Sequence, residues 1–525
     1  MWWGVIKMDT KELLRFCIER GFLLEPEVLN ILSETEDKES IKFILEKLKS
    51  QTQERIITKT FLEQNAEKVS EFFLSLPKEN QMGLEKLKIK LGIQIEIYKE
   101  SLTESKGINL VKNSSGVKVL SESKPIGEKI NVASFVKNLK SRFNLLKNIL
   151  QERPEMENLV SINKISRNSQ KSSIIGSISD KRTTKNGNIL FEVEDLTGTI
   201  KVLISPNKKE SYELAEELPL DSVVGFSGSG SSDFFFVNNI FLPEGHLSEK
   251  KNAPFEDCVA FVGDIHYGSR FFFEKNFLKF VDYLNGNLPN TPESKKIKYL
   301  FLVGDVVTGV GNYPLQEKDL VVVDLEEQFI GLSNLLKKIR KDITIIISPG
   351  NHDGVRLMEP QPIFDKKYAW ALYDIDNVIL TENPCYINIG SGNNFSGFNV
   401  LTYHGFSYTY YANSVPSLMK IRAMNNPDSI MKYLLKLRHL APTHASNQRV
   451  PHDEDMLVIK KIPDIFVSGH THKSAVSYYN NVLIISTSCW EDLTEYQEKF
   501  GNEPDHCKVP IFNLKTREVK ILDFE

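Results

Sequence analysis

Five apolar, mostly β-branched runs in the second half of this chain each stop at a glycine beside Asp, His or Asn. Val259-Ala260-Phe261-Val262 leads into Gly263-Asp264-Ile265-His266, and Tyr299-Leu300-Phe301-Leu302-Val303 into Gly304-Asp305. Ile343-Thr344-Ile345-Ile346-Ile347 leads through Ser348-Pro349-Gly350 to Asn351-His352-Asp353-Gly354. Val400-Leu401-Thr402-Tyr403 meets His404-Gly405, and Ile465-Phe466-Val467-Ser468 meets Gly469-His470-Thr471-His472. Such runs read as buried strands. Alternating with helical stretches from Asp257 onward, they predict an α/β sheet domain. Ligands of open α/β sheets bind beyond the carboxyl ends of the strands, so one row of strand ends would gather all five clusters.

The residue types decide the chemistry. A lone strand-end histidine, or a single GD or GNHD string, is ordinarily a satisfied polar residue. Five in order, holding five of the ten histidines, are not explained that way. Carboxylate, imidazole and amide oxygen without thiolate suit two borderline-to-hard divalent ions such as Mn, Fe or Zn. Asp305, alone on its strand end, is the natural bridge. Two ions roughly 3.5–4 Å apart clamp the attacking and leaving oxygens of a phosphoryl displacement. The pairs Asp264/His266 and His470/His472 are spaced i, i+2, which lets one turn present both side chains. His439, His444, His452 and His506 show no ligand-like pattern; loop or substrate-facing surface is the expectation for the first three.

At 525 residues the chain exceeds a single growing core and implies several domains. No apolar stretch approaches the ~18–20 residues of a membrane span, and Met1–Lys7 is too short for a signal-peptide apolar region. The five scattered cysteines form no CxxC pair, which fits a reducing, cytoplasmic setting. A net charge of −4 gives no global attraction to nucleic acid, so contacts with DNA must be local.

Residues 1–75 read as a small helical module. Asp9 and Glu12 resemble a capping box, Gly21 is placed to stop the first helix, and Pro26 suits the start of a second. Residues 76–130 read as a flexible basic linker, and 131–170 as a connecting amphipathic helix with Phe135, Leu139, Phe143, Leu146 and Leu150 on one face. Residues 171–245 alternate with period two, with a helix after the third strand, which predicts an OB-type barrel. Residues 172–242 carry ten acidic against six basic residues, so protein contact is favoured over binding of a strand. With its negative balance and the run Phe234-Phe235-Phe236-Val237, the barrel is expected to pack on the neighbouring domain with one face and on a partner with another. Residues 255–525 complete the chain as the α/β domain.

At the five strand ends the sequence resembles the calcineurin-like metallophosphoesterase superfamily, whose pattern D-x-H, GD, GNH(D/E), H, GHxH is matched without a gap. With the helical start, basic linker and barrel, and with "KLRHLAPTHA" and "WEDLTEYQEKFG…VPIFNL", the chain is similar to the small-subunit family of archaeal family D DNA polymerases. The resemblance implies a phosphoesterase β-sandwich flanked by helices. It also implies a proofreading 3′–5′ exodeoxyribonuclease that assists a separate large catalytic subunit and acts on single-stranded or frayed 3′ ends of DNA. A sliding clamp would be reached through that complex. By similarity, Asp264, His266, Asp305 and His472 would hold one divalent ion, and Asp305, Asn351, His404 and His470 the other, with Mn2+ foremost. His352 would be the general acid, oriented by Asp353. The alternatives are an idle scaffold subunit and a stand-alone metallophosphatase; phosphatases of this superfamily carry an Arg in the GD motif that "GDVVTGVG" lacks.

Overall fold

The computed structural model describes residues 10–33, 42, 45–47, 56–58, 116–121, 130–165, 169–231, 233–392, 394–499, 501 and 503–525. The chain divides into two units, Met1–Leu110 and Val111–Glu525. In the first, helices Thr10–Glu19 and Pro26–Ser33 form, and β1 (Leu23–Leu24) runs parallel to β2 (Ile56–Ile57). Pro26 opens its helix because the missing N–H is not needed in a first turn. Gly21 follows the first helix with φ +75°, where a Cβ would be strained. Asp9 lies outside the described residues, as does most of 76–130. Within that stretch Val117–Val119 is β3, an edge strand of the large sheet domain, antiparallel to Ile387–Ile389.

The helix Val132–Gln151 is capped by Asn131, whose side chain accepts from Ser134 N–H at 3.0 Å. Phe143, Leu146 and Leu150 are buried as expected, but Leu139 is exposed and Asn138 and Arg142 are buried in its place. The reason is polar docking of the helix's middle. Asn138 donates to His452 O (2.9 Å), and Arg142 to Asp455 (2.7 Å) and Pro442 O (2.7 Å).

The barrel comprises β4 (Ser169–Thr183), β5 (Ile189–Glu194), β6 (Thr199–Ile204), β7 (Val223–Gly230) and β8 (Phe234–Phe241), closed in the order β4-β5-β6-β8-β7. The helix Lys209–Glu217 lies between its third and fourth strands. Period two splits the phenylalanine run: Phe235 and Val237 fill the barrel, while Phe234 and Phe236 stack outward with ring centroids 6.5 Å apart. The barrel core is continuous with the neighbouring domain, as expected, while these two rings stay exposed. Polar contact with that domain includes the helix end, where Glu217 accepts from Ser417 N–H (3.1 Å) and Tyr433 Oη donates to Glu217 O (2.7 Å).

The remaining strands are β9 (Cys258–Val262), β10 (Ile297–Val303), β11 (Thr344–Ser348), β12 (Val378–Leu380), β13 (Cys385–Ile389), β14 (Phe398–Thr402), β15 (Ile465–Ser468), β16 (Ala475–Tyr479), β17 (Val482–Ser486), β18 (Lys508–Asn513) and β19 (Val519–Asp523). They form two sheets, β12-β11-β10-β9-β18-β19 and β16-β17-β15-β14-β13-β3. Phe261, Phe301 and Ile346 of one meet Val400, Val467 and Ile485 of the other in an apolar interior. Helices Glu274–Leu284 and Leu325–Leu336 cover the outer face of the first sheet. Helices Tyr408–Ser414 and Pro427–Leu437 join the barrel core over the second. This is a β-sandwich flanked by helices. The ends that carry the expected ligands thus come from two facing sheets, three from one and two from the other, rather than from a single row.

Candidate metal centre

β9, β10 and β11 run parallel in one sheet, and β14 and β15 run parallel in the other. All five expected clusters follow the carboxyl ends of these strands. Asp264, His266, Asp305, His470 and His472 all have positive φ, between 47° and 71°. Each such conformation costs of order 1–3 kcal/mol for a residue with a Cβ and persists where the surroundings hold it. The flanking glycines explain how the turns approach so closely. A Cβ on Gly350 would lie 2.2 Å from Asp305 Oδ1, and one on Gly304 2.2 Å from His404 Nδ1.

Two groups of donors converge. Asp264, His266 and His472 form one: Nε2 of His266 lies 3.2 Å from Nε2 of His472, which lies 3.5 Å from Asp264 Oδ1. Asp305, His404 and His470 form the other, with His404 Nε2 3.2 Å from Asp305 Oδ2 and 3.0 Å from Asn351 Oδ1. Asp305 also groups with His266 and His352, so its carboxylate lies between the two sets. His470 N–H donates to both oxygens of Asp264, at 3.1 and 3.0 Å.

The electrostatics follow from burial. Loss of solvent pushes Asp264 well above the usual carboxylate range. Asp305 is pushed up by burial too, but the His404 and His352 imidazoles outweigh this and hold it well below. Burial would lower His404, yet the Asp305 carboxylate raises it to about 10. Burial, with the other imidazoles, takes His470 and His472 down to about 3. Those rings are therefore neutral, the form that ligates metal. Two neutral imidazole nitrogens facing each other beside a buried carboxylate fit a divalent cation, and the absence of sulfur among the donors fits the harder ions.

The structure also shows partners that sequence reasoning missed. His352 Nδ1 lies 2.9 Å from Thr308 O and 3.3 Å from Asn312 Nδ2. Asp353, expected to orient that ring, does not face it. Its Oδ1 accepts from Val307 N–H (3.0 Å) and its Oδ2 from Gly350 N–H (2.7 Å), so it braces the turn instead. Glu491 and Gln497 reach the outer nitrogens of two expected ligands, at 3.9 Å from His266 Nδ1 and 3.3 Å from His472 Nδ1. Both lie in the stretch "WEDLTEYQEKFG", which carried a resemblance but no spacing that would reveal these contacts. His439 is buried rather than at a surface, 3.1 Å from Asp455.

The donors open into a cavity of about 1130 Å³ that also touches Tyr313, Phe406, Tyr410 and Arg422. Residues 259–474 match the calcineurin-like phosphoesterase family. The DNA polymerase II small subunit of Pyrococcus abyssi is 39% identical over 424 residues, covering 79% of this chain and 65% of that protein. Its counterpart in Pyrococcus furiosus is 36% identical over 405 residues, covering 75% and 64%. This chain therefore spans just under two thirds of the length of those two relatives. The DNA polymerase II small subunit of Methanothermobacter thermautotrophicus is 35% identical over 397 residues, covering 75% of this chain and 80% of that protein. Likeness of that extent, together with a phosphoesterase domain whose strand-end Asp and His side chains converge, makes this chain a member of the DNA polymerase II small-subunit family.

Proposed function

We propose that this chain hydrolyses DNA phosphodiester bonds from the 3′ end, as a proofreading 3′–5′ exonuclease and accessory subunit beside the large catalytic subunit of a family D DNA polymerase. The observation that carries the reading is the position of Asp305, grouped with His404 and His470 on one side and with His266 and His352 on the other, at one open cavity. Asp264, His266, Asp305 and His472 would hold one divalent ion, and Asp305, Asn351, His404 and His470 the other, with Mn2+ favoured by the nitrogen and oxygen donors. Bound there, two such ions supply charge stabilisation at the attacking and leaving oxygens of an in-line displacement. His352 is held through Nδ1, leaving Nε2 to face the site 4.0 Å from Asp305 Oδ2. From that position it protonates the leaving 3′ oxygen.

The relatives' name supports a large-subunit partner; a sliding clamp would be engaged only through that complex. The barrel reads as OB-type by its strand order and its helix, and its exposed Phe234 and Phe236 suit a protein interface. An idle scaffold would keep buried carboxylates and strained turns without use. A phosphomonoesterase role is disfavoured by the missing arginine in "GDVVTGVG". The test is incubation of the purified full chain with Mn2+ and single-stranded DNA labelled at its 5′ end. Stepwise shortening from the 3′ end, abolished in Asp305→Asn, is the expected result. An intact substrate under all metals tried, or internal cuts alone, would sink the exonuclease reading.

A further inference from the structure

The cavity at the metal centre has two walls of different chemistry. One carries the ligands and His352. The other is built after His404, where the chain leaves the sheet for helices Tyr408–Ser414 and Pro416–Lys420 and the turn Ala423–Asn425. This second wall presents Phe406, Tyr410, Arg422 and Met424 to the cavity. Neither ligation nor proton transfer uses any of them.

Arg422 is the sole Lys or Arg among the residues lining the cavity. It is exposed, and its guanidinium has no hydrogen-bond or ion-pair partner among the described residues. Its backbone sits at φ +49°, a left-handed conformation that L residues other than Asn and Asp rarely adopt. A planar guanidinium with all its donors free matches a phosphate bidentately. Phe406 and Tyr410 on the same wall match bases, since every base has a π-face to stack. The volume, about 1130 Å³, exceeds the roughly 300–1,000 Å³ of ordinary small-molecule sites, so the cavity admits more than the reacting nucleotide. Duplex bases are stacked away from such rings, whereas an unpaired strand offers them.

We propose that this wall grips a single nucleic-acid strand, Arg422 pairing with a phosphate next to the scissile one while Phe406 and Tyr410 stack on bases near the 3′ end. The inference rests on the hydrolytic reading above and adds the residues that hold the strand, Arg422, Phe406 and Tyr410. The grip does not continue onto the barrel. There a neighbouring cavity of about 460 Å³, which shares Tyr410, sets Asp180, Glu216 and Glu217 against Lys181 and Arg182.

The experiment is fluorescence anisotropy of a labelled oligodeoxynucleotide, single-stranded or in duplex, on the full chain with Ca2+ replacing Mn2+. The parent should prefer the single strand. Arg422→Ala should weaken that binding about tenfold to a hundredfold, as for a lost charge-assisted contact. It should also lower the log–log salt slope by about 0.7. Arg422→Lys should restore the slope without the full affinity. Tyr410→Ala should weaken binding at least about fivefold and leave the slope alone. Equal binding of duplex and single strand, no binding by the parent, or an Arg422→Ala chain with parental affinity and slope would each overturn the proposal. Hydrolysis of bis(p-nitrophenyl) phosphate by the parent with Mn2+ is measured in parallel. Its absence counts against the hydrolytic reading, whereas the anisotropy alone decides the grip.

Discussion

Glu491 sets a buried carboxylate oxygen 3.9 Å from Nδ1 of His266, an imidazole nitrogen that has no hydrogen-bond partner among the described residues. Burial pushes the Glu491 carboxyl up to about 8. A divalent ion held by His266 would favour the ionised form of Glu491. A carboxylate behind a ligating histidine fixes its tautomer and raises its basicity, and loss of such a partner typically costs about 10–100-fold in metal affinity. Glu491→Gln should therefore weaken one ion by that factor and spare the ion held by His404 and His470. Equilibrium dialysis against Mn2+ resolves the two, and equal weakening of both would show a general loss of structure instead.

Asp305 groups with His404 and His470 and also with His266 and His352, so Asp305→Asn, at the proposed bridge, should lower occupancy at two positions rather than one. Elemental analysis after dialysis reads this directly. One ion retained at parental stoichiometry would remove Asp305 from the bridge.

His352 reaches the cavity through Nε2 because Thr308 O engages Nδ1. His352→Ala should keep both ions and lose roughly 10²–10⁴-fold in turnover on single-stranded DNA, the usual contribution of a positioned proton donor. If an ion departs with the ring, His352 is a ligand. Near-parental turnover with both ions present would exclude it as the acid.

Arg142 and Asp455 tie the helix Val132–Gln151 to the phosphoesterase domain through a buried ion pair at 2.7 Å, with His439 at 3.1 Å from the same oxygen. Burial pushes Asp455 up, but Arg142 and His439 outweigh it and hold the carboxyl well below its ordinary range. A depressed folded-state pKa stabilises at every pH above the unfolded value, about 3.9, and the contribution fades as pH falls below it. Arg142→Ala should therefore cost about 3–5 kcal/mol at neutral pH, by leaving a buried charge without its main partner. Urea unfolding of the full chain measures this. The difference from the parent should shrink below about pH 4, and a difference independent of pH would mean that lost packing, not the ion pair, is responsible.

By itself the sequence determined the strands and what stands at their ends. Apolar β-branched runs need burial, glycines permit the tight turns, and Asp, His and Asn in those turns must find partners, so Asp264, His266, Asp305, Asn351, His352, His404, His470 and His472 were legible one cluster at a time. Period-two alternation likewise exposed the barrel and its inserted helix. Tertiary structure alone decided what faces what. It split the strand ends between two sheets and turned Asp353 toward Val307 and Gly350 instead of the His352 ring. It brought Glu491 and Gln497 behind the ligands, drew Val117–Val119 into a sheet edge, and buried His439 beside Asp455. Periodicity and residue type record only whether a side chain seeks burial, a turn or a charge. Which distant group satisfies it depends on packing across hundreds of residues, and that is settled only when the two sheets close on each other.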